Sequence, residues 1–215
     1  MDLAMLPDDA QTCVIRPAAT IVIWRNAPDG PKVLMGQRGA QAAFMPSKYV
    51  FPGGAVDAAD EDTRLDFKLH SQCAARLRLN CPTDAPSPET LAVTALRELW
   101  EETGLRLAPL SQDGCSLRFI FRAITPPGRS RRFDARFFLA DAAWIKGNPD
   151  DFSGASDELS HLHWIGLSSA RSLDLPFITE VVLSEISHLL LDQSGAEGVP
   201  FFDNSDHVPT FRRLD

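Results

Sequence analysis

Arg97-Glu98-Leu99-Trp100-Glu101-Glu102-Thr103-Gly104-Leu105 sets three carboxylates at i, i+3 and i+4. An α-helix advances about 100° per residue, so Glu98, Glu101 and Glu102 share an arc of roughly 100°. Like charges so close repel unless a cation sits among them, and an all-oxygen set suits Mg²⁺ or Mn²⁺ rather than zinc. Arg97 lies one turn before Glu101, within reach to neutralise or orient it. Val93, Leu96, Leu99 and Trp100 fall on the opposite side and are expected to be buried. Upstream, Ser87-Pro88-Glu89 reads as a helix start: Ser87 can cap free N–H groups, Pro88 suits the first helical position and Glu89 complements the dipole. Gly104 supplies the stop.

The stretch matches R-E-U-x-E-E-x-G-U, where U is a bulky apolar residue, and Glu89 stands eight positions before Arg97. On these residues the chain resembles the Nudix hydrolases, enzymes that cleave nucleoside diphosphates linked to another moiety. The box of that family opens G-x5-E, which asks for glycine at position 83, where this chain has Thr83. A glycine pair occurs earlier, in Phe51-Pro52-Gly53-Gly54, with Gly54 lying 35 positions before Glu89 instead of six. Read this way, an insertion of 29 residues interrupts the box. An interrupted box is similar to that of the subgroup typified by the peroxisomal coenzyme A diphosphatase, and Arg131-Arg132-Phe133-Asp134-Ala135-Arg136-Phe137-Phe138 resembles that subgroup as well. The resemblance implies an α/β fold: a Nudix α/β/α sandwich around a mixed sheet, with a helical insertion inside the box. It implies one domain over 1–215, the insertion at about 58–86, and a C-terminal helix plus tail at about 177–215.

By the same resemblance Glu98, Glu101 and Glu102 are metal ligands for Mg²⁺ or Mn²⁺, joined by a backbone carbonyl at Gly54 or its neighbour. Glu98, Glu102, Arg97 and Glu158 are the candidate catalytic residues. The general base comes from the box helix or from a later loop, where Glu158, six residues before Trp164, is an acid either of the site or of the bare surface. Arg132 and Arg136 share one face of an alternating strand while Arg131 takes the other. A guanidinium can chelate a phosphate with two hydrogen bonds, so Arg132 and Arg136, with the close backbone approach at Gly53, are candidate substrate contacts; as solvated strand residues they need no function. His161, His163 and His188 lack metal-ligand spacing. The fuller coenzyme A signature R-x3-G-x3-F-P-G-G meets Ala43 and Ser47 here, leaving only Phe51-Pro52-Gly53-Gly54. Coenzyme A or acyl-coenzyme A is the leading substrate, ADP-ribose or another nucleoside diphosphate derivative the alternative. A non-catalytic ligand-binding module would show erosion of the carboxylates, and all three are present.

Composition narrows the classes further. At 215 residues, 44% hydrophobic and 23% charged, the chain can bury one sizeable core. Met1 to Asp9 lacks the basic start and apolar centre of a signal peptide, and no apolar run is long enough to span a bilayer, so a cytoplasmic protein is expected. Cys13, Cys73, Cys81 and Cys115 show neither C-x-x-C spacing nor a dense framework, and read as reduced thiols. A net charge of -8 and a pI near 5.1 argue against nucleic acid as a partner. The expected partner is a small nucleoside diphosphate derivative, with a homodimer and no membrane contact.

Period-2 patterns at 14–24 and 32–37, separated by Asn26-Ala27-Pro28-Asp29-Gly30, predict a hairpin. Leu65, Leu69, Cys73, Leu77 and Leu79 follow helical spacing and predict one amphipathic helix over 62–79. Strands are predicted over 116–125, 132–140 and 161–167, and a long helix over 178–191.

Overall fold

The computed structural model describes residues 13–108, 117–191, 198–206 and 208–215. The hairpin forms as β1 (Ile15–Ala27) and β2 (Gly30–Arg38), paired antiparallel from Trp24↔Val33 to Ala27↔Gly30. The turn closes on Pro28 and Asp29, with Gly30 at φ 108, a conformation other residues resist. An irregular stretch leads to β3 (Tyr49–Val50) and β4 (Gly53–Ala55), and β4 lies antiparallel on β1 through Thr20↔Gly53 and Ala19↔Gly54.

Two short helices, α1 (Ala58–Asp62) and α2 (Ser71–Leu77), occupy the stretch where one helix over 62–79 is expected. The difference has a local cause: Thr63 is extended, and His70, itself outside the helical region, caps the second helix by accepting from the Gln72 N–H. The apolar stripe still works as a packing surface, with Leu69 and Leu77 buried and Leu65, Cys73 and Leu79 partly buried against the core. Next comes α3 (Pro88–Thr103), capped by the Ser87 hydroxyl on the Thr90 N–H at 3.0 Å and ended by Gly104 at φ 75. Trp100 departs from expectation. It is 45% exposed, with the Arg106 guanidinium 4.4 Å from its ring, because the buried side of α3 is filled by Leu91, Ala92, Ala95 and Leu99 instead.

The remaining elements are β5 (Arg118–Ile124), β6 (Arg132–Asp141), β7 (Leu159–Gly166), α4 (Leu167–Ala170), α5 (Phe177–Leu191), β8 (Val199–Asp203) and β9 (Thr210–Leu214). The last two strands were no part of the sequence expectation, which left a tail after the helix. They are short and interrupted by Pro200, yet β8 pairs parallel to β5 and β9 closes the sheet edge. The sheet runs β3-β2-β1-β6-β5-β8-β9, with β4 on β1 and β7 on β2; β1/β6 and β5/β8 are parallel and the other pairs antiparallel.

Alternation along β1 assigns the two layers. Ala19, Ile21 and Ile23 face α3 and the stretch that carries α2, while Val22 faces the opposite layer with Val33, Met35 and the buried side of α5. The result is the expected α/β/α sandwich around a mixed sheet. Among the described residues no helix is long and apolar enough to cross a membrane. Among the described residues Cys13, Cys73 and Cys81 form no disulfide, and Cys115 lies outside the described residues.

Candidate active site

Two carboxylates of α3 are pressed into the sheet where β4 crosses β1. Glu102 is almost wholly buried, and its Oε2 accepts the Gly53 N–H at 2.9 Å. Its other oxygen, Oε1, is buried with no hydrogen-bond partner among the described residues. Glu98 is buried against Gly54, where a Cβ would have to push its carboxylate aside. Gly53 is equally constrained, since a Cβ there would meet the Thr20 hydroxyl and the Ala19 carbonyl. The paired glycines thus serve to seat the carboxylates rather than to make a turn.

Burial pushes the Glu102 carboxyl up to about 8, with the charges of Glu98 and Glu158 adding to the rise against the Gly53 hydrogen bond. Glu98 is also raised, chiefly by burial, despite its contact with Arg97. Glu101 is the exposed member of the three. Its carboxylate turns to Arg97 Nη1 at 2.9 Å, while its backbone carbonyl accepts the Ser156 N–H at 2.9 Å. Arg97 also gives Nη1 to Glu98 Oε1 at 2.8 Å and Nη2 to the Ala55 carbonyl at 3.0 Å. Among the described residues no three acidic, His or Cys side chains converge as a ready cation cage, since Arg97 draws on Glu98 and Glu101.

Asp60 is the site-building residue that the sequence reading missed. Arg97 grips it with Nε on Oδ1 at 2.8 Å and Nη2 on Oδ2 at 3.0 Å, and Oδ2 also accepts from the Thr94 hydroxyl and the Asp57 N–H. Burial alone would raise the Asp60 carboxyl, but these donors, Arg97 first, hold it below its usual range. Glu89, read as the upstream acid of the box, stands exposed on the surface, its nearest cation being Arg78 at 3.8 Å. Asp60 is six positions after Gly54. Asp60, not Glu89, is the acid that the structure brings to Arg97. The signal was present as Gly54-x5-Asp60, hidden because the motif asks for Glu.

The loop before β7 reaches the other side of the carboxylates. Gly154 packs on Gly104, where a Cβ would come within 2.9 Å of it, and Glu158 follows with Oε1 bonded to Arg38 Nη2 at 2.9 Å. Glu158 lies close enough for its charge to raise the proton affinity of both Glu98 and Glu102, and the Arg38 charge lowers that of Glu102. Arg38, whose Nε is buried without a partner among the described residues, had no place in the sequence reading.

Arg132 and Arg136 do share a face, as alternation predicts, but both are buried among partners of the scaffold. Arg132 donates to the carbonyls of Thr125, Asn204 and Ser205 at 2.6–3.0 Å. Arg136 contacts Asp134 and the Cys81 thiol, and Arg122 forks onto Asp134 at 2.8 and 2.7 Å. The guanidinium that the fold brings to Glu158 is Arg38 instead.

No family model matches the chain. A Caenorhabditis elegans protein that carries the name nudix hydrolase 7 is 27% identical over 143 residues, covering 62% of this chain. The chain spans about half the length of that relative, 46%. The crystal structure of a Nudix hydrolase from Alicyclobacillus acidocaldarius superposes with a TM-score of 0.58 and 28% identity, over 80% of this chain and 91% of the other. The Nudix domain of Shewanella oneidensis NrtR, solved with ADP-ribose, gives a TM-score of 0.53 at 14% identity, over 86% and 94% of the two chains, a likeness of fold. The architecture is the Nudix fold. Together with the box residues and the two likenesses above a quarter in identity, it supports membership of the Nudix hydrolase family.

Proposed function

We propose that the protein is a divalent-metal-dependent diphosphatase that splits a nucleoside diphosphate from, or within, a larger conjugate. The observation that carries this reading is the buried Glu98–Glu102 pair on Gly53-Gly54, like-charged and with Glu102 Oε1 unpartnered. An orphaned carboxylate oxygen in a buried site is costly unless a cation completes it, and an all-oxygen set fits Mg²⁺ or Mn²⁺. Glu98, Glu102 and the Gly54 backbone would hold the metal, with Glu101 joining by releasing Arg97. When bound, such a metal neutralises phosphate charge and acidifies water.

The chain's own groups have separable tasks. Glu158, half exposed, would take a proton from an attacking water, whose oxygen bonds to phosphorus as the bridging P–O bond breaks to leave two products that each end in a phosphate. Arg38 holds Glu158 in place, and Arg97, locked by Asp60, keeps the Glu98 carboxylate turned toward Gly54. Gly53 fixes Glu102 through its N–H.

Coenzyme A or an acyl derivative is the first substrate reading, favoured by the interrupted box and by Phe51-Pro52-Gly53-Gly54. ADP-ribose is the second, favoured by the ligand of the Shewanella domain. The test is hydrolysis of coenzyme A, acyl-coenzyme A, NADH, ADP-ribose and dinucleoside polyphosphates with Mg²⁺ or Mn²⁺, with products identified by mass. Two products, each ending in a phosphate at the cleaved bridge, are expected from one of these compounds. Binding of a compound without cleavage at any metal concentration points to a ligand-binding module instead.

A further inference from the structure

The sheet is irregular where β2 and β7 meet, beside Glu158. Met35 pairs with His163 and Gln37 with Ser160, so His161 and Leu162 together face Gly36. This is a β-bulge, and it depends on glycine: a Cβ at Gly36 would come within 2.9 Å of Leu159 and Leu162. His161 sits in the bulge at φ 50, and Ser47, in the loop after β2, at φ 60, both in the left-handed region that non-glycine residues avoid.

One side chain ties these two strained points together. Gln37 Nε2 donates to the Ser47 carbonyl at 2.9 Å, its Oε1 faces His161 Nδ1 at 3.1 Å, and its backbone carbonyl accepts the Ser160 hydroxyl at 3.1 Å. The consequence is positional. A one-residue slip turns every side chain of a strand to the other face, so the bulge decides that Leu159 points inward opposite Arg38 and that Glu158 arrives beside that arginine.

We propose that Gln37 is a positioning residue for Glu158, acting through the bulge at His161. The proposal rests on the reading of Glu158 as the group that takes the proton from water. A double-mutant cycle tests it, with coenzyme A as probe substrate, or ADP-ribose if that is the compound turned over. Gln37→Met, of similar length but without hydrogen bonds, lowers kcat about tenfold with KM within about twofold, and adds less than about twofold in the Glu158→Gln background. Amide exchange over 157–163, read by mass spectrometry, speeds up in Gln37→Met. Gln37→Glu, which keeps an oxygen facing His161 but loses the donor to the Ser47 carbonyl, falls between the native protein and Gln37→Met. An undiminished Gln37→Met effect on top of a slow Glu158→Gln enzyme overturns the proposal alone, as does unchanged turnover in Gln37→Met. Full turnover in Glu158→Gln overturns the reading of Glu158 and the proposal with it.

Discussion

Two buried charged clusters lie on the α3 side of the sheet, built on opposite plans. At β5 and β6, Asp134 stands between Arg122 and Arg136, and the guanidinium groups of Arg122 and Arg132 are satisfied by a carboxylate and by backbone carbonyls. At α3, Glu98 and Glu102 bring two acids together and leave Glu102 Oε1 without a partner among the described residues. Residue type and burial do not separate scaffold from site, because both clusters are charged and both are buried. What separates them is pairing: Asp134 stands between guanidinium groups of opposite sign to its own, although Arg136 Nε has no partner among the described residues, whereas Glu98 and Glu102 are acids set side by side. Under the proposed function a cation would complete that second arrangement.

The contrast breaks most visibly if the two clusters respond alike to neutralisation. Glu102→Gln is expected to lower kcat about a thousandfold, roughly 4 kcal/mol of transition-state stabilisation, while the metal-free protein melts at the same temperature or higher. The amide retains the shape and no longer has to be held uncharged in the core. Steady-state kinetics and thermal melts without metal check both halves; near-native turnover at low metal concentration would sink the assignment.

Asp134→Ala should do the reverse. It leaves the Arg122 and Arg136 guanidinium groups buried without their carboxylate, at about 3–5 kcal/mol of stability. Turnover per folded molecule should stay within about threefold. Denaturant titration with kinetics on the folded fraction reads the difference, and a catalytic loss comparable to that of Glu102→Gln would move this cluster into the site.

The two clusters also differ in how far the sequence revealed them. The α3 carboxylates were legible because helical spacing is local: 3.6 residues per turn fixes which side chains share a face, and capping residues mark the ends. The hairpin, the β5–β6 pair and α5 were legible for the same reason. The roles of Arg132 and Arg136 were not, since alternation tells which face a strand residue takes but not what covers that face. Their partners, Asn204, Ser205 and Cys81, come from segments 55 to 73 residues away. β8 and β9 were missed because five-residue strands carry little pattern of their own and are defined by the edge they join.

Asp60 sharpens the comparison from a third direction, as a balanced charge that serves the unbalanced pair. Asp60→Asn weakens the fork on Arg97 and frees that guanidinium to close more tightly on Glu98 and Glu101. The expected result is about a tenfold loss in kcat and a stability loss of about 1–2 kcal/mol. Glu89→Gln is the matched control, expected to alter stability by less than about 0.5 kcal/mol and turnover not at all. Equal effects of the two substitutions would restore Glu89 as the upstream acid of the box.

The smallest effect is a pH dependence, and its sign follows from the unbalanced pair. Glu102 has a folded pKa of about 8 against an ordinary value of 4.5, so between these values the unfolded chain has lost a proton that the folded protein still holds. Stability changes with pH in proportion to protons bound unfolded minus protons bound folded, here negative. The contribution of Glu102 is therefore fully present below about 4.5 and is lost progressively as pH rises toward 8. The metal-free melting temperature should fall by a few degrees across that window relative to Glu102→Gln, which has no proton to lose there. Adding Mg²⁺ should reverse the relation, because the cation binds the ionised carboxylate and stabilises the native protein more as pH rises. Melts of both proteins at intervals from pH 5 to about 8, with and without Mg²⁺, measure the difference. Parallel curves in the absence of metal would mean that Glu102 ionises freely in the fold, and the orphaned oxygen would lose its meaning as a mark of the site.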